Sequence, residues 1–210
     1  MRLLYTFFIR VYTLLITVLA VFNDKARLWR NGRKNWKTRL NSKDFGKHDV
    51  YWFHCASLGE FEQGRPLMEQ LKLNQKNKII LTFFSPSGYE LRKNYSGADW
   101  IFYLPEDTVE NAQFYIKTIN PKAAFFIKYE FWFNYLYELK KQDIPVFLVS
   151  GIFRDNQYFF KWYGKWASKQ LLAFTYFFVQ NRQSQNLLEQ IGHKNVIVSG
   201  DTRFDRVLKI

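Results

Sequence analysis

Val50-Tyr51-Trp52-Phe53-His54-Cys55-Ala56-Ser57-Leu58-Gly59-Glu60 decides the fold: an apolar run ends in small residues and a glycine, and a helical pattern follows at once. A strand, a tight turn and a carboxylate coincide, as at the start of a βα unit. In open α/β sheets ligands bind in the crevice beyond the carboxyl ends of the strands. Glu60 is therefore a candidate general base. A second role stays open, because an acidic residue in the first turn of a helix also complements the positive end of its dipole.

Outward from this unit, short runs rich in β-branched and aromatic residues recur at 51–55, 78–84, 100–104, 123–128, 146–150, 176–180 and 195–199. Between them, residues 61–73, 108–119, 131–141, 157–174 and 182–191 carry apolar side chains at helical spacing. Asp107-Thr108 marks one helix start, and Gly192 and Pro145 mark two stops. Alternating strand and helix predict an α/β fold, a Rossmann-like parallel sheet with helices on both faces. At 210 residues the chain is long enough to bury one such core.

The formal net charge of +13 calls for an anionic partner, and its placement narrows the choice. Lys25, Arg27, Arg30, Arg33, Lys34, Lys37, Arg39, Lys43 and Lys47 follow directly on an apolar segment, Leu3 to Phe22, and meet one acid, Asp44. This arrangement favours an anionic membrane surface over nucleic acid. The apolar segment predicts an uncleaved membrane anchor helix at residues 1–22, before a basic juxtamembrane linker at 23–49. Arg10 would be costly at mid-membrane, so an interfacial helix and a span are both open. Basic flanks stay cytoplasmic, and the single cysteine, Cys55, agrees with a reducing compartment.

Ser85-Pro86-Ser87-Gly88 follows the second strand, where small residues let backbone amides and hydroxyls approach an anionic or hydroxyl-rich ligand; a plain strand-to-helix joint is the other reading. Neither G-x-G-x-x-G nor G-x-x-x-x-G-K-[ST] occurs, which removes the usual nucleotide fingerprints. Lys128-Tyr129-Glu130 ends another strand, and side chains two apart on a strand share a face. Lys128 and Glu130 are thus expected either to clamp a ligand or to pair as ions. Arg203 offers positive charge at the same edge, or a bridge to Asp205. His54 lacks a triad partner by spacing with Cys55 or Ser57 and reads as structural. His48 and His193 lie far apart, so no metal is expected. Tryptophans 132, 162 and 166 read as core or membrane-facing.

Taken together, His54–Glu60, Ser85–Gly88, Leu104-Pro105-Glu106-Asp107, Glu130–Asn134 and Gly200–Asp205, in this order behind an apolar N-terminus, resemble the Kdo transferase family of lipopolysaccharide synthesis. The resemblance spans nearly the whole chain. It implies a glycosyltransferase of two facing Rossmann-like halves, of which residues 50–210 are the N-terminal, acceptor-binding half. The donor-binding C-terminal domain is then absent, and the chain is expected to be a fragment inactive alone. The implied reaction moves 3-deoxy-D-manno-octulosonate (Kdo) from CMP-Kdo to a hydroxyl of the phosphorylated lipid A precursor, with inversion and without metal or other cofactor, at the cytoplasmic face of the inner membrane. Glu60, closing Ser57-Leu58-Gly59-Glu60, falls on the family's general base; Ser57, Gly59, Ser85, Ser87 and Gly88 fall on the acceptor side.

This sequence departs from the family's E-x-E-x-W-P-N, since Lys128 replaces the first glutamate in Lys128-Tyr129-Glu130-Phe131-Trp132-Phe133-Asn134. The charge is reversed, so Lys128 or Glu130 is the candidate transition-state stabiliser at this turn, beside Arg203. Arg203 stands where the family has the lysine of K-F-D, which keeps the charge and changes its geometry. The rival reading is a non-catalytic, membrane-tethered module for anionic lipid, with Glu60 as a helix cap.

Overall fold

The computed structural model describes residues 1–46 and 48–201. Its seven strands are β1 (Asp49–Cys55), β2 (Asn77–Phe83), β3 (Trp100–Tyr103), β4 (Ala123–Ile127), β5 (Val146–Gly151), β6 (Tyr176–Val179) and β7 (Val196–Val198). Each falls on a run expected from the sequence. They form one sheet in the order β3-β2-β1-β4-β5-β6-β7, with every neighbouring pair parallel. From β1 the chain builds outward through β2 and β3, and from β4 in the opposite direction. The boundary between β1 and β4 is therefore the switch point, where the loops part and leave a crevice.

Alternation along the strands divides the core in two. Trp52, Ile80, Phe126 and Leu148 pack on one face, whereas Phe53, Leu81, Phe83, Ile127 and Val149 pack on the other. Helix α4 (Leu58–Lys72) contributes Phe61 and Met68 to the second layer. Helices α6 (Val109–Ile119) and α7 (Phe133–Lys141) contribute Tyr115, Tyr135 and Leu139 to the first. The expected α/β architecture with helices on both faces is the observed one.

Three local features differ from expectation. The stretch 157–174 is not one helix but two 3-10 turns, a short α8 (Lys165–Gln170) and a third 3-10 turn. The break falls at Gly164, where a Cβ would overlap the Tyr158 carbonyl, so only a glycine lets the chain fold back there. Residues 86–92 form α5, capped by Ser85 and opened by Pro86; seven residues are too few to show a helical period. The basic stretch at 23–49, expected as a linker, carries α2 (Asp24–Gly32) and α3 (Trp36–Asn41).

Arg33 explains why that stretch folds onto the sheet. It is buried, donating to the carbonyls of Leu104 at 2.8 Å, Phe84 at 3.0 Å and Trp29 at 3.1 Å. Its guanidinium lies 3.9 Å from the centre of the Trp29 ring. Burial lowers its pKa to about 10, a shift opposed by the charge of Glu106. Arg33 is thus withdrawn from the basic surface expected from the sequence. Gly32 supports the same seam, because a Cβ there would enter the Tyr103 ring.

Helix α1 (Arg2–Leu19) is long and apolar enough by composition to cross a bilayer, yet it is docked along the domain. Arg2 pairs with Glu138 at 2.8 Å, Tyr5 Oη donates to Asp107 at 2.7 Å, and Arg10 pairs with Glu110 at 2.9 Å. The opposite side exposes Leu3, Leu4, Phe7, Phe8, Leu14, Leu15 and Val18, an apolar stripe at helical spacing.

Candidate active site

The loops after β1, β2 and β4 converge at the switch point, and a buried polar cluster fixes them. Trp52 Nε1 donates to Thr82 Oγ1 at 2.8 Å. The Glu130 carboxylate can only accept, so the His54 proton is assigned to Nε2, and Nδ1 accepts from the Thr82 hydroxyl at 2.9 Å. This tautomer turns the Nε2–H toward the crevice. There Nε2 donates to Glu130 Oε2 at 3.2 Å, and Trp132 Nε1 donates to the same oxygen at 2.7 Å. His54 is structural, as expected, but what it structures is the Glu130 carboxylate.

Glu60 occupies the third position of α4, behind the N-cap Ser57. Ser-x-x-Glu is the sequence of a capping box, in which the two side chains satisfy backbone N–H groups. Here Ser57 makes no side-chain cap bond, and its hydroxyl donates to the Glu60 carboxylate instead. Glu60 is partly exposed at the open edge of the sheet. The Cys55 thiol is pushed well above its ordinary value by burial, then by the negative charges of Glu60 and Glu130. Both carboxylates thus act on the end of β1, and Cys55 is no thiolate nucleophile.

Lys128 and Glu130 do not share a strand face. β4 stops at Ile127, and Lys128 takes a left-handed conformation with φ 71°, so the two-residue alternation ends before it applies. The Lys128 ammonium lies 5.4 Å from the centre of the Tyr129 ring, while Glu130 is held by His54 and Trp132. The ion pair between Lys128 and Glu130, one of the two expected arrangements, is not formed. Glu130 and Glu60 are brought together at the crevice, with Lys128 at the neighbouring turn.

The Ser85 turn is tied to the Ser57 turn through the backbone, since Ser85 N donates to the Ala56 carbonyl at 2.8 Å. Gly88 lets α5 close on both: a Cβ there would lie 2.5 Å from Phe83 Cδ1 and 3.1 Å from the Ser57 carbonyl carbon. Ser85 and Ser87 hydroxyls lie 2.7 Å apart, with Ser87 exposed. Gly59 is exposed, and a Cβ on it would meet only Ser57 Oγ, at 3.8 Å. Arg203 lies outside the described residues.

Two supports were not read from the sequence. Asp107 is buried and accepts from Asn134 N and Tyr135 N, both at 3.1 Å, capping α7 from outside the helix. Burial raises its pKa to about 7 against these hydrogen bonds. Asn134 Nδ2 donates to the Asp107 carbonyl at 2.5 Å and to Thr6 Oγ1 at 3.1 Å, so one cluster fixes both the Glu130–Trp132 loop and α1. The second support is Gln63 of α4. Its amide donates to Ser150 Oγ at 3.2 Å and Asp201 Oδ1 at 3.1 Å, bringing the residue after Gly200 to the edge that holds Glu60. The signal was a polar residue on the inward face of α4, and it carried no motif. Among the described residues, no group of three or more His, Cys, Asp or Glu converges to hold a metal.

Residues 34–206 match the family model described as 3-deoxy-D-manno-octulosonic-acid transferase (kdotransferase). The chain is 33% identical over 101 residues to the 3-deoxy-D-manno-octulosonic acid transferase of Aquifex aeolicus, covering 48% of this chain and 27% of that protein. It is 25% identical over 164 residues to the enzyme of that name from Bordetella pertussis, covering 75% and 38%. These matches span about a quarter to two fifths of the relatives' own lengths. Among solved structures, UDP-GlcNAc 2-epimerase from Neisseria meningitidis superposes with a TM-score of 0.58 at 15% identity, over 76% of this chain and 49% of that one. The epimerase from Methanocaldococcus jannaschii gives 0.55 at 14%, over 76% and 47%. At such identities the likeness is one of fold.

Proposed function

Since the chain belongs to the 3-deoxy-D-manno-octulosonic-acid transferase family, we propose that it is the acceptor-binding domain of a lipopolysaccharide glycosyltransferase that moves Kdo from CMP-Kdo to a hydroxyl of the phosphorylated lipid A precursor. The observation that carries this reading is the Glu60 carboxylate, held by the Ser57 hydroxyl at the switch point beside the His54–Glu130–Trp132 cluster. Glu60 takes the proton of the acceptor hydroxyl as that oxygen bonds to the anomeric carbon of Kdo. The bond from that carbon to the CMP phosphate breaks on the opposite side, the electron pair leaves with the phosphate, and the centre is inverted. Glu130 stabilises the positive charge that develops on the sugar. Lys128 and Arg203 offset charge on the departing phosphate, and no metal or other cofactor takes part. Ser57, Ser85, Ser87 and the exposed backbone at Gly59 face the acceptor, with Gly88 holding their two turns together.

We place the domain on the cytoplasmic face of the inner membrane. The apolar stripe of α1 lies in the interface, and the exposed Lys25, Arg27, Lys34, Lys37 and Lys43 face anionic headgroups. The docking of α1 at Arg2, Tyr5 and Arg10 supports a helix lying along the bilayer rather than across it. The test is incorporation of labelled Kdo from CMP-Kdo into tetraacylated lipid A precursor by the protein expressed from its complete coding sequence. An inverted Kdo linkage on the lipid is expected. Intact lipid binding without any transfer would favour the non-catalytic binding module.

A further inference from the structure

A groove of about 310 Å³ runs between α1, α2 and the turn that follows β2. Tyr12, Ile16 and Leu19 form one wall, Ala26 and Trp29 the other, and Phe84 and Pro86 the floor. Its polar rim is Asn23, Lys25 and Ser85. The Asn23 side chain is already committed to capping Ala26 N, so Lys25 supplies the charge at the mouth.

The groove is continuous with the candidate active site. Phe84 stacks with Tyr12 at 6.4 Å and packs against Trp29 at 5.8 Å; on its far side it meets Trp132 at 4.8 Å. Trp132 is the donor to Glu130, and Ser85 belongs both to the groove and to the turn bonded to Ala56. At its other limit the groove opens beside α1, whose outer stripe of leucines and phenylalanines is exposed.

We propose that this groove binds one acyl chain of the acceptor lipid, drawn partly out of the bilayer so that its phosphorylated sugar lies between Lys25 and the Ser57–Ser85 turns. An apolar trough with a cation at its mouth matches an anionic lipid bearing a long chain. A trough leading to the site's own turns fits the acceptor, whereas a bulk phospholipid would need no such path. The inference rests on the acceptor reading above and names where its lipid part sits.

The test uses vesicles holding a phosphorylated, tetraacylated glucosamine disaccharide with a photoreactive diazirine on an acyl chain, and in a second arm diazirine-labelled phosphatidylglycerol. Cross-links are mapped by mass spectrometry. The sugar lipid is expected to label Tyr12, Ile16 and Trp29, and phosphatidylglycerol to label the outer stripe at Leu4, Phe8 and Leu15. Ala26→Trp and, from the other wall, Ile16→Phe should each cut groove labelling by about ten-fold or more and leave stripe labelling unchanged. Equal labelling of the groove by both lipids, or label confined to the stripe with both, overturns the proposal. Glu60→Gln separates the two readings, since it should label as wild type while losing transfer. Groove labelling in a protein that never transfers Kdo leaves the groove and removes the enzyme; transfer with label confined to the stripe does the reverse.

Discussion

His54 Nε2 lies 3.2 Å from the Glu130 carboxylate, joining residues 76 apart in sequence across the switch point of the sheet. Glu130 is also held by Trp132, so its orientation is set by two rings packed against β1 and the β2–α5 turn. A group meant to stabilise charge on a sugar gains from being fixed before the substrate arrives. Replacing Glu130 with Gln should lower kcat by about 10²–10³. His54→Gln should lower kcat by about ten-fold with acceptor KM within two-fold of wild type, since it loosens Glu130 without touching substrate. Steady-state kinetics on the two variants check this; a His54→Gln effect confined to KM would contradict it.

Gly59 and Gly88 make opposite predictions. Gly59→Ala adds a methyl group in open space within a helix, so the fold should gain about 0.5–1 kcal/mol while acceptor binding weakens. Gly88→Ala drives a Cβ into Phe83 and the Ser57 backbone and should cost about 1–3 kcal/mol. Urea denaturation and lipid titration of both variants measure the pair.

Arg33 makes a stability prediction. Arg33→Ala leaves the Leu104 and Phe84 carbonyls without their donor and removes the stem packed on Trp29, costing about 2–4 kcal/mol. Arg33→Lys keeps the charge but loses the fork and should recover less than half of that. Denaturation midpoints give both values.

Asp107 makes stability depend on pH. Its folded pKa of about 7 exceeds the ordinary 3.8, so between those values the folded state holds more protons than the unfolded state. Stability from this group is then present at low pH and falls as pH rises through about 4 to 7. For a chain of this size each lost kcal/mol lowers Tm by about 2–4 °C. Asp107→Asn should flatten that slope in melts recorded from pH 5 to pH 8. The variant should also be less stable at every pH, because an amide replaces one of the two oxygens that cap α7.

The strands were legible because a buried parallel sheet needs uninterrupted runs such as Ile79-Ile80-Leu81 and Ala123–Ile127, and these stand out against the charged residues around them. The place of Glu60 at the edge of the sheet was legible because it follows a strand and a glycine. The state of the carboxylates was not. Lys128 and Glu130 looked like a pair because alternation was carried past the end of β4 at Ile127, where the left-handed Lys128 interrupts it. Arg33 looked like one more surface cation in a basic stretch. What buries it are carbonyls at Phe84 and Leu104, which directly follow β2 and β3 far along the chain. Asp107 and Asn134 were quoted as motif residues, but that they cap α7 and seat α1 depends on contacts with Tyr5 and Thr6 that no local pattern encodes.

Glu60 as the base that activates the acceptor hydroxyl is tested by the single-turnover rate of Kdo transfer from CMP-Kdo to tetraacylated lipid A precursor in wild type and Glu60→Gln, with lipid affinity measured on the same preparations. The variant's rate should be lower by about 10²–10⁴ with affinity changed less than two-fold. Transfer by Glu60→Gln at the wild-type rate would contradict it.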